Sequence, residues 1–298
     1  MKKKLQKILV LALGLTTTIA SAQFSANSVS RIDNTNSDNK HATNRITLSA
    51  DMGAVHVSYD VAYSESLGRD MFFVPNASDD WYHEEGLYQK VYEAYVSTDL
   101  MGFGTLTVGR KDLSFGSGAL ISSNDWGLNR HTQNGVSLDA NLGGFDVSIG
   151  SMGGVQYDNS NYMNASGNFG GADVNILMMN SGDAKAHGYD LSYSMNNFTL
   201  SASMNSDFDG DEMTSYGLTY NVSDDLSASF GRTSYGDATE TGTGFNMANT
   251  ATSDGWASGN MGYLGSNDEA TSMGISYDLG DITLSYTMTT VSNDNQVD

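Results

Sequence analysis

The stretch Ile46-Thr47-Leu48-Ser49-Ala50-Asp51-Met52-Gly53-Ala54-Val55-His56-Val57-Ser58-Tyr59-Asp60-Val61-Ala62-Tyr63 decides the fold class. Apolar side chains stand at every second position on both arms: Ile46, Leu48, Ala50 and Met52, then Val55, Val57, Tyr59, Val61 and Tyr63. Thr47, Ser49 and Asp51 interleave the first arm; His56, Ser58, Asp60 and Ala62 interleave the second. Successive side chains of an extended chain point to opposite faces, so each arm has one apolar face and one small, polar face. With Met52-Gly53-Ala54 as a tight turn between them, the two arms read as a β-hairpin.

The same pattern runs through the chain, and helical periodicity hardly appears. It predicts thirteen strands, at 24–31, 45–52, 54–63, 88–98, 104–111, 135–142, 144–152, 187–195, 197–205, 213–221, 225–233, 271–279 and 281–290. Tight turns at Gly53, Gly143-Gly144, Asn196-Asn197, Asp224-Asp225 and Gly280 alternate with long polar segments near 64–87, 112–133, 153–186, 205–213 and 234–270. Asp33 to Thr43 reads as a further outer loop. Thirteen is odd, whereas single-chain bacterial barrels have even strand numbers. The preferred resolution is a barrel whose sequence stops short; the alternative is a fourteenth strand at Val174 to Met179.

Alternation alone fits a soluble sandwich or a membrane barrel. The polar faces decide between them: they are Ser, Thr, Gly, Asn and Asp, with few of the Lys and Glu residues that solvate a sandwich. Tyr and Phe recur near strand ends, where barrels carry aromatic girdles. The expected class is therefore all-β, a transmembrane antiparallel β-barrel of about 14–16 strands when complete. Composition agrees. Of 298 residues, 33 are glycine, one is proline and none is cysteine, and charged residues make up only 16%. A disulfide-stapled domain is excluded, and a helical membrane protein would need about 20 consecutive apolar residues.

Residues 1–22 form a secretory signal: Lys2, Lys3, Lys4 and Lys7, the apolar run Ile8 to Leu15, then Ala20-Ser21-Ala22. The barrel domain is then 23–298. Removing four lysines moves the net charge from −21 to −25, ten basic residues against 35 acidic ones. Such a polyanion repels nucleic acid, which removes that class of partner.

Gly102-Phe103-Gly104-Thr105-Leu106-Thr107-Val108-Gly109-Arg110 resembles the fifth strand of Gram-negative general porins, the strand that leads into their constriction loop. The resemblance is best over 88–152. It implies a trimeric, 16-stranded outer-membrane barrel, seated among lipid and lipopolysaccharide, that passes small hydrophilic solutes. It also makes 112–133 an inward constriction loop carrying Asp112, Asp125, Arg130 and His131. Two departures stand: the chain ends at Asp298 without the usual C-terminal aromatic, and it falls short of sixteen strands. The run Asp112 to Asp125, followed by Trp126 and Arg130, is also similar to alginate-export-type barrels, which implies a sugar-acid channel instead.

Alternation names the channel-facing set directly: Arg45, His56, Asp60, Asp139, Asp146 and Asp190. Glu93 joins them if Tyr92, Ala94 and Val96 face lipid, although that strand reads almost as well the other way. Acids outnumber bases, so a modest cation preference is expected. Arg110 falls on the face of Leu106 and Val108, toward lipid. In the loop Asp207-Phe208-Asp209-Gly210-Asp211-Glu212, oxygen ligands at Asp207, Asp209 and Asp211 suit a weak Ca²⁺ site of about 10⁻⁴–10⁻³ M. No other cofactor is expected. The five histidines lack metal-ligand spacing, and no residue stands out as a nucleophile with its base, so the chain does not read as an enzyme. Three functions remain in order: a diffusion porin, a substrate-directed export or uptake channel, and a non-conducting adhesive barrel.

Overall fold

A computed structural model describes residues 23–36, 39–66, 86–123, 130, 132–153, 160–237, 267–280 and 282–292. Among them every regular element is an antiparallel strand, fifteen in all, and no helix is long and apolar enough to cross a membrane. The signal segment lies outside the described residues. The chain divides into two compact units, 1–98 and 99–298.

The first unit is a meander of β1 (Gln23–Asn36), β2 (Asn39–Met52), β3 (Val55–Ser66) and β4 (Gly86–Asp99). β1 and β2 pair from Gln23↔Asp51 up to Asn36↔Asn39, so the described residues of the loop expected over Asp33 to Thr43 are instead strand, 33–36 in β1 and 39–43 in β2. Gly53 turns the β2–β3 hairpin at a φ of 66°. β4 carries a bulge: Ser58 pairs with Glu93 but Tyr59 pairs with Val91, leaving Tyr92 as the extra residue. Both Tyr92 and Glu93 therefore turn to the polar face. That change of phase is why β4 reads in either direction from sequence.

The second unit comprises β5 (Thr105–Lys111), β6 (Gln133–Leu142), β7 (Phe145–Gly153), β8 (Ser160–Phe169), β9 (Ala172–Ser181), β10 (Ala184–Met195), β11 (Phe198–Ser206), β12 (Glu212–Asn221), β13 (Leu226–Tyr235), β14 (Glu269–Asp278) and β15 (Thr283–Ser292). Each strand pairs with its sequence neighbour. The polar loop expected over 153–186 is corrected here. It holds the β8–β9 hairpin, turned by Gly170-Gly171, and the start of β10. The count rises from thirteen to fifteen among the described residues.

The two faces of this unit are chemically separate. In one register row, Tyr193, Leu200, Leu218, Phe230, Met273 and Met288 lie side by side across β10–β15. All six are between 36% and 54% exposed. An unbroken apolar row of this width is a severe liability in water and is the correct surface against lipid. The adjacent row on the other face reads Ser192, Ser201, Gly217, Gly231, Ser272 and Thr289. Near the tight turns, Phe198 and Tyr220 sit with ring centroids 4.7 Å apart on the apolar face, as an interfacial girdle requires.

Candidate functional site

In the first unit, the polar face of β2–β4 gathers Arg45, His56, Asp60 and Glu93, four of the side chains expected to line a channel. Arg45 and Asp60 are 7% and 3% exposed. Asp60 accepts a hydrogen bond from Thr47 Oγ1 at 2.7 Å. His56 stands between two carboxylates, with Nδ1 2.6 Å from Asp51 and Nε2 3.4 Å from Glu93. Its ring stacks on Tyr95 at 4.8 Å. Lys90 lies over the Tyr92 ring at 6.0 Å, a cation that alternation did not single out.

In the second unit, the segment after β5 folds onto the polar face. Residues 114–123 close on themselves: Ser123 N donates to Ser114 Oγ at 2.9 Å, and Gly118 N to the Phe115 carbonyl at 3.0 Å. Leu120 and Ile121 are essentially fully buried in a cluster with Met152, Leu177, Met179 and Ala186. Phe115 packs on Tyr162 at 5.2 Å. Burying Leu120 and Ile121 supplies about 1.5–3 kcal/mol each toward holding the segment down. At Gly116 the backbone runs so close to the strands that a Cβ would overlap the Asp190 carboxylate and the Asn175 amide. The described part of 112–133 therefore lies against the polar face and not on the rim.

Beneath the segment a chain of hydrogen bonds crosses β8–β11. Asn164 Nδ2 donates to Asn175 Oδ1 at 2.7 Å, and Asn175 Nδ2 donates to Asp190 Oδ2 at 3.2 Å. Ser203 Oγ donates to Asp190 Oδ1 at 2.6 Å and lies 3.1 Å from the Ser117 hydroxyl. A cavity of about 600 Å³ opens between the segment and this wall. A second cluster centres on Asp139, which accepts from Ser148 at 2.5 Å and from Ser137 at 3.2 Å. Lys111 Nζ lies 3.5 Å away. Asp146 is on the same face but near the β6–β7 turn, exposed and bonded to Asn141 at 2.9 Å.

Asp112 and Arg130 are half-buried at the two ends of the described segment, whereas Asp125 and His131 lie outside the described residues. Arg110 keeps the parity of Leu106 and Val108, since its neighbour Lys111 is the residue that meets Asp139. In the loop read as a calcium site, the three aspartates differ in setting. Asp207 is fully buried and its Oδ1 accepts the backbone N–H groups of Asp209 and Asp211 at 3.0 and 2.9 Å, while Asp209 is exposed. Through these bonds the Asp207 carboxylate closes its own turn. Among the described residues no three His, Asp or Glu side chains converge as metal ligands.

Sequence reasoning missed Lys111, Asn164, Asn175 and Ser203. The one signal available was Ile176-Leu177-Met178-Met179, apolar at consecutive positions, which marks a strand covered on both faces.

Solved structures of the same architecture extend over most of the chain. Acinetobacter baumannii OccAB3 aligns with a TM-score of 0.64 and 13% identity, covering 91% of this chain and 83% of that one. A. baumannii OccAB1 aligns at 0.60 with 12% identity, covering 93% and 81%. Pseudomonas aeruginosa OccK2 (OpdF), solved in complex with glucuronate, aligns at 0.60 with 12% identity, covering 90% and 79%. No curated protein sequence matches. The likeness establishes the fold as that of outer-membrane β-barrel porins. The model of the family described as alginate export matches residues 18–262. Of the two resemblances legible in the sequence, the porin likeness holds at the level of fold. The chain belongs to the alginate export family.

Proposed function

We propose that this protein is an outer-membrane channel whose water-filled interior passes small hydrophilic solutes, narrowed by the segment 112–123 and mildly selective for cations. The observation that carries this reading is the docked segment itself. A purely adhesive barrel has no need of a tightly turned loop laid against the polar wall of Asn175, Asp190 and Ser203, whereas a size-selective conduit does. Charge on the polar faces supports the cation preference: Asp60, Glu93, Asp139, Asp173 and Asp190 stand against Arg45, Lys90 and Lys111.

Planar-bilayer recording tests the proposal. The folded protein should give stable ohmic steps, and in a KCl gradient the reversal potential should favour potassium. Steps in groups of three would support the homotrimer that the porin resemblance implies. Silent bilayers containing folded protein would refute the channel, and a chloride-favouring potential would refute the selectivity.

A second reading is a substrate-directed channel for sugar acids. Its support is the family membership and the glucuronate complex of OccK2. Saturating block of the current by glucuronate would favour it over simple diffusion.

A further inference from the structure

The cavity beneath 114–117 has a lining unlike that of a sugar-acid site. Among the described residues that form it are two carboxylates, Asp173 and Asp190, and no lysine, arginine or histidine. The remaining polar groups are serine hydroxyls and the amides of Asn164, Asn168 and Asn175. Asp139, on the same sheet face, has Lys111 beside it at 3.5 Å. Among the described residues Asp190 and Asp173 meet only neutral donors: Ser203 and Asn175 for the first, and Asn168 at 3.0 Å for the second.

A carboxylate offers about four lone-pair sites, so these contacts leave acceptor capacity facing the cavity. The register places Asp173 opposite Ser192 and Asp190 opposite Asn175, one step apart along a single face. Diagonal neighbours of this kind lie about 7–8 Å apart, a spacing that can flank one ammonium group. A uronate brought here would meet two fixed negative charges with no cation among the described lining residues to offset them. Water-sized ions need no alcove of about 600 Å³ with walls of hydroxyl and amide groups. A monosaccharide-sized solute with both hydroxyls and a protonated amine uses all of it.

We propose that the cavity between Ser114–Ser117 and β8–β12 is a binding subsite for hydroxylated organic cations of amino-sugar size, with Asp190 and Asp173 taking the ammonium group. The proposal deepens the channel reading and rests on it for the route by which the solute arrives. Its test reads binding without current. The folded full-length protein in detergent is titrated calorimetrically at about pH 6, where the amine probes are protonated. The probes are glucosamine, glucose, glucuronate and ethylammonium at equal ionic strength.

Glucosamine should bind saturably, and glucose and ethylammonium each about tenfold more weakly or worse, since each lacks one half of the recognition. Asp190→Asn and Asp173→Asn should each weaken glucosamine binding by about three- to tenfold, the scale of one charge at contact distance in a wet site. Asp224→Asn, on the exposed β12–β13 turn, should leave it unchanged. Equal binding of glucosamine and glucose, stronger binding of glucuronate, equal binding of ethylammonium, or indifference to both aspartate variants would each overturn the proposal. So would a conducting barrel that binds none of the probes. A barrel that binds glucosamine yet carries no current would refute the channel reading and uphold the subsite.

Discussion

Replacing Gly116 with alanine places a methyl group where the protein has a carboxylate. The backbone at Gly116 has a φ of +56°, which costs an L-residue about 1–2 kcal/mol. The new Cβ would also overlap Asp190 Oδ2 and Asn175 Nδ2 and lie 2.9 Å from Asp190 Cγ. Relief requires either that Asp190 give up its bond from Asn175, worth about 1.5–3 kcal/mol for a charged acceptor, or that the segment lift off. The combined penalty of about 2.5–5 kcal/mol is comparable with the docking contribution of Leu120 and Ile121, about 3–6 kcal/mol by their burial. Gly118 supplies the control. Its φ is +75°, but an added Cβ meets nothing nearer than Ser122 Cβ at 3.4 Å, so Gly118→Ala carries the backbone strain alone. In single-channel recordings, Gly116→Ala should give larger, noisier steps than wild type, and Gly118→Ala should stay close to wild type. Equal behaviour of the two variants, or a Gly116→Ala trace identical to wild type, would refute the inference that the wall contact positions the segment.

Two further outcomes follow from the faces of the sheet. Ile275, 51% exposed in the middle of β14, should not tolerate charge: Ile275→Arg is expected to cost about 2–4 kcal/mol in denaturant unfolding from lipid vesicles, falling toward zero if its depth is interfacial. Ser276→Arg, one residue on and on the hydroxyl face, should cost far less; the reverse ranking would mean that the faces are misassigned. In the Lys111–Asp139 pair, whose side chains are 33% and 36% exposed, Lys111→Met should raise cation preference and Asp139→Asn should lower it. Stability should move by under about 1 kcal/mol in either variant. Reversal potentials that shift in the same direction for both would contradict a lining role.

Alternation proved a sufficient guide wherever one face meets lipid and the other a polar interior. The β2–β3 hairpin, the turns at Gly53 and Asn196, and the placement of Arg45, His56, Asp60, Asp139 and Asp190 on the polar face all follow from it. It failed where a third layer covers the interior. Leu177 and Met179 point to the polar side because Leu120 and Ile121 lie over them, so the outer half of β9 has no polar face to read. Its partner β8 shows Asn161 and Gly167 among its outward positions, which weakens the apolar signal there as well. In β4 the obstacle is the bulge at Tyr92, since one extra residue inverts the phase of everything beyond it. The seat of the segment at Gly116 was illegible for a different reason: Gly116 and Asp190 are distant in sequence, and only the folded sheet brings them together. The aspartates at 207, 209 and 211 show how one spacing serves two readings. Metal-like spacing also suits a turn in which a side chain bonds its own backbone.

The channel reading rests on 112–123 lying within the interior, against β10 and β11. It is tested most directly by cross-linking, for which the absence of native cysteine leaves no background. The hydroxyls of Ser117 and Ser203 are 3.1 Å apart. Cysteines at both positions, in the folded, membrane-inserted protein, should form a disulfide on mild oxidation, seen by mass spectrometry as one linked peptide pair. Two free thiols after oxidation, both open to alkylation, would mean that the segment stands away from the wall and that the account of the channel's narrowing is wrong.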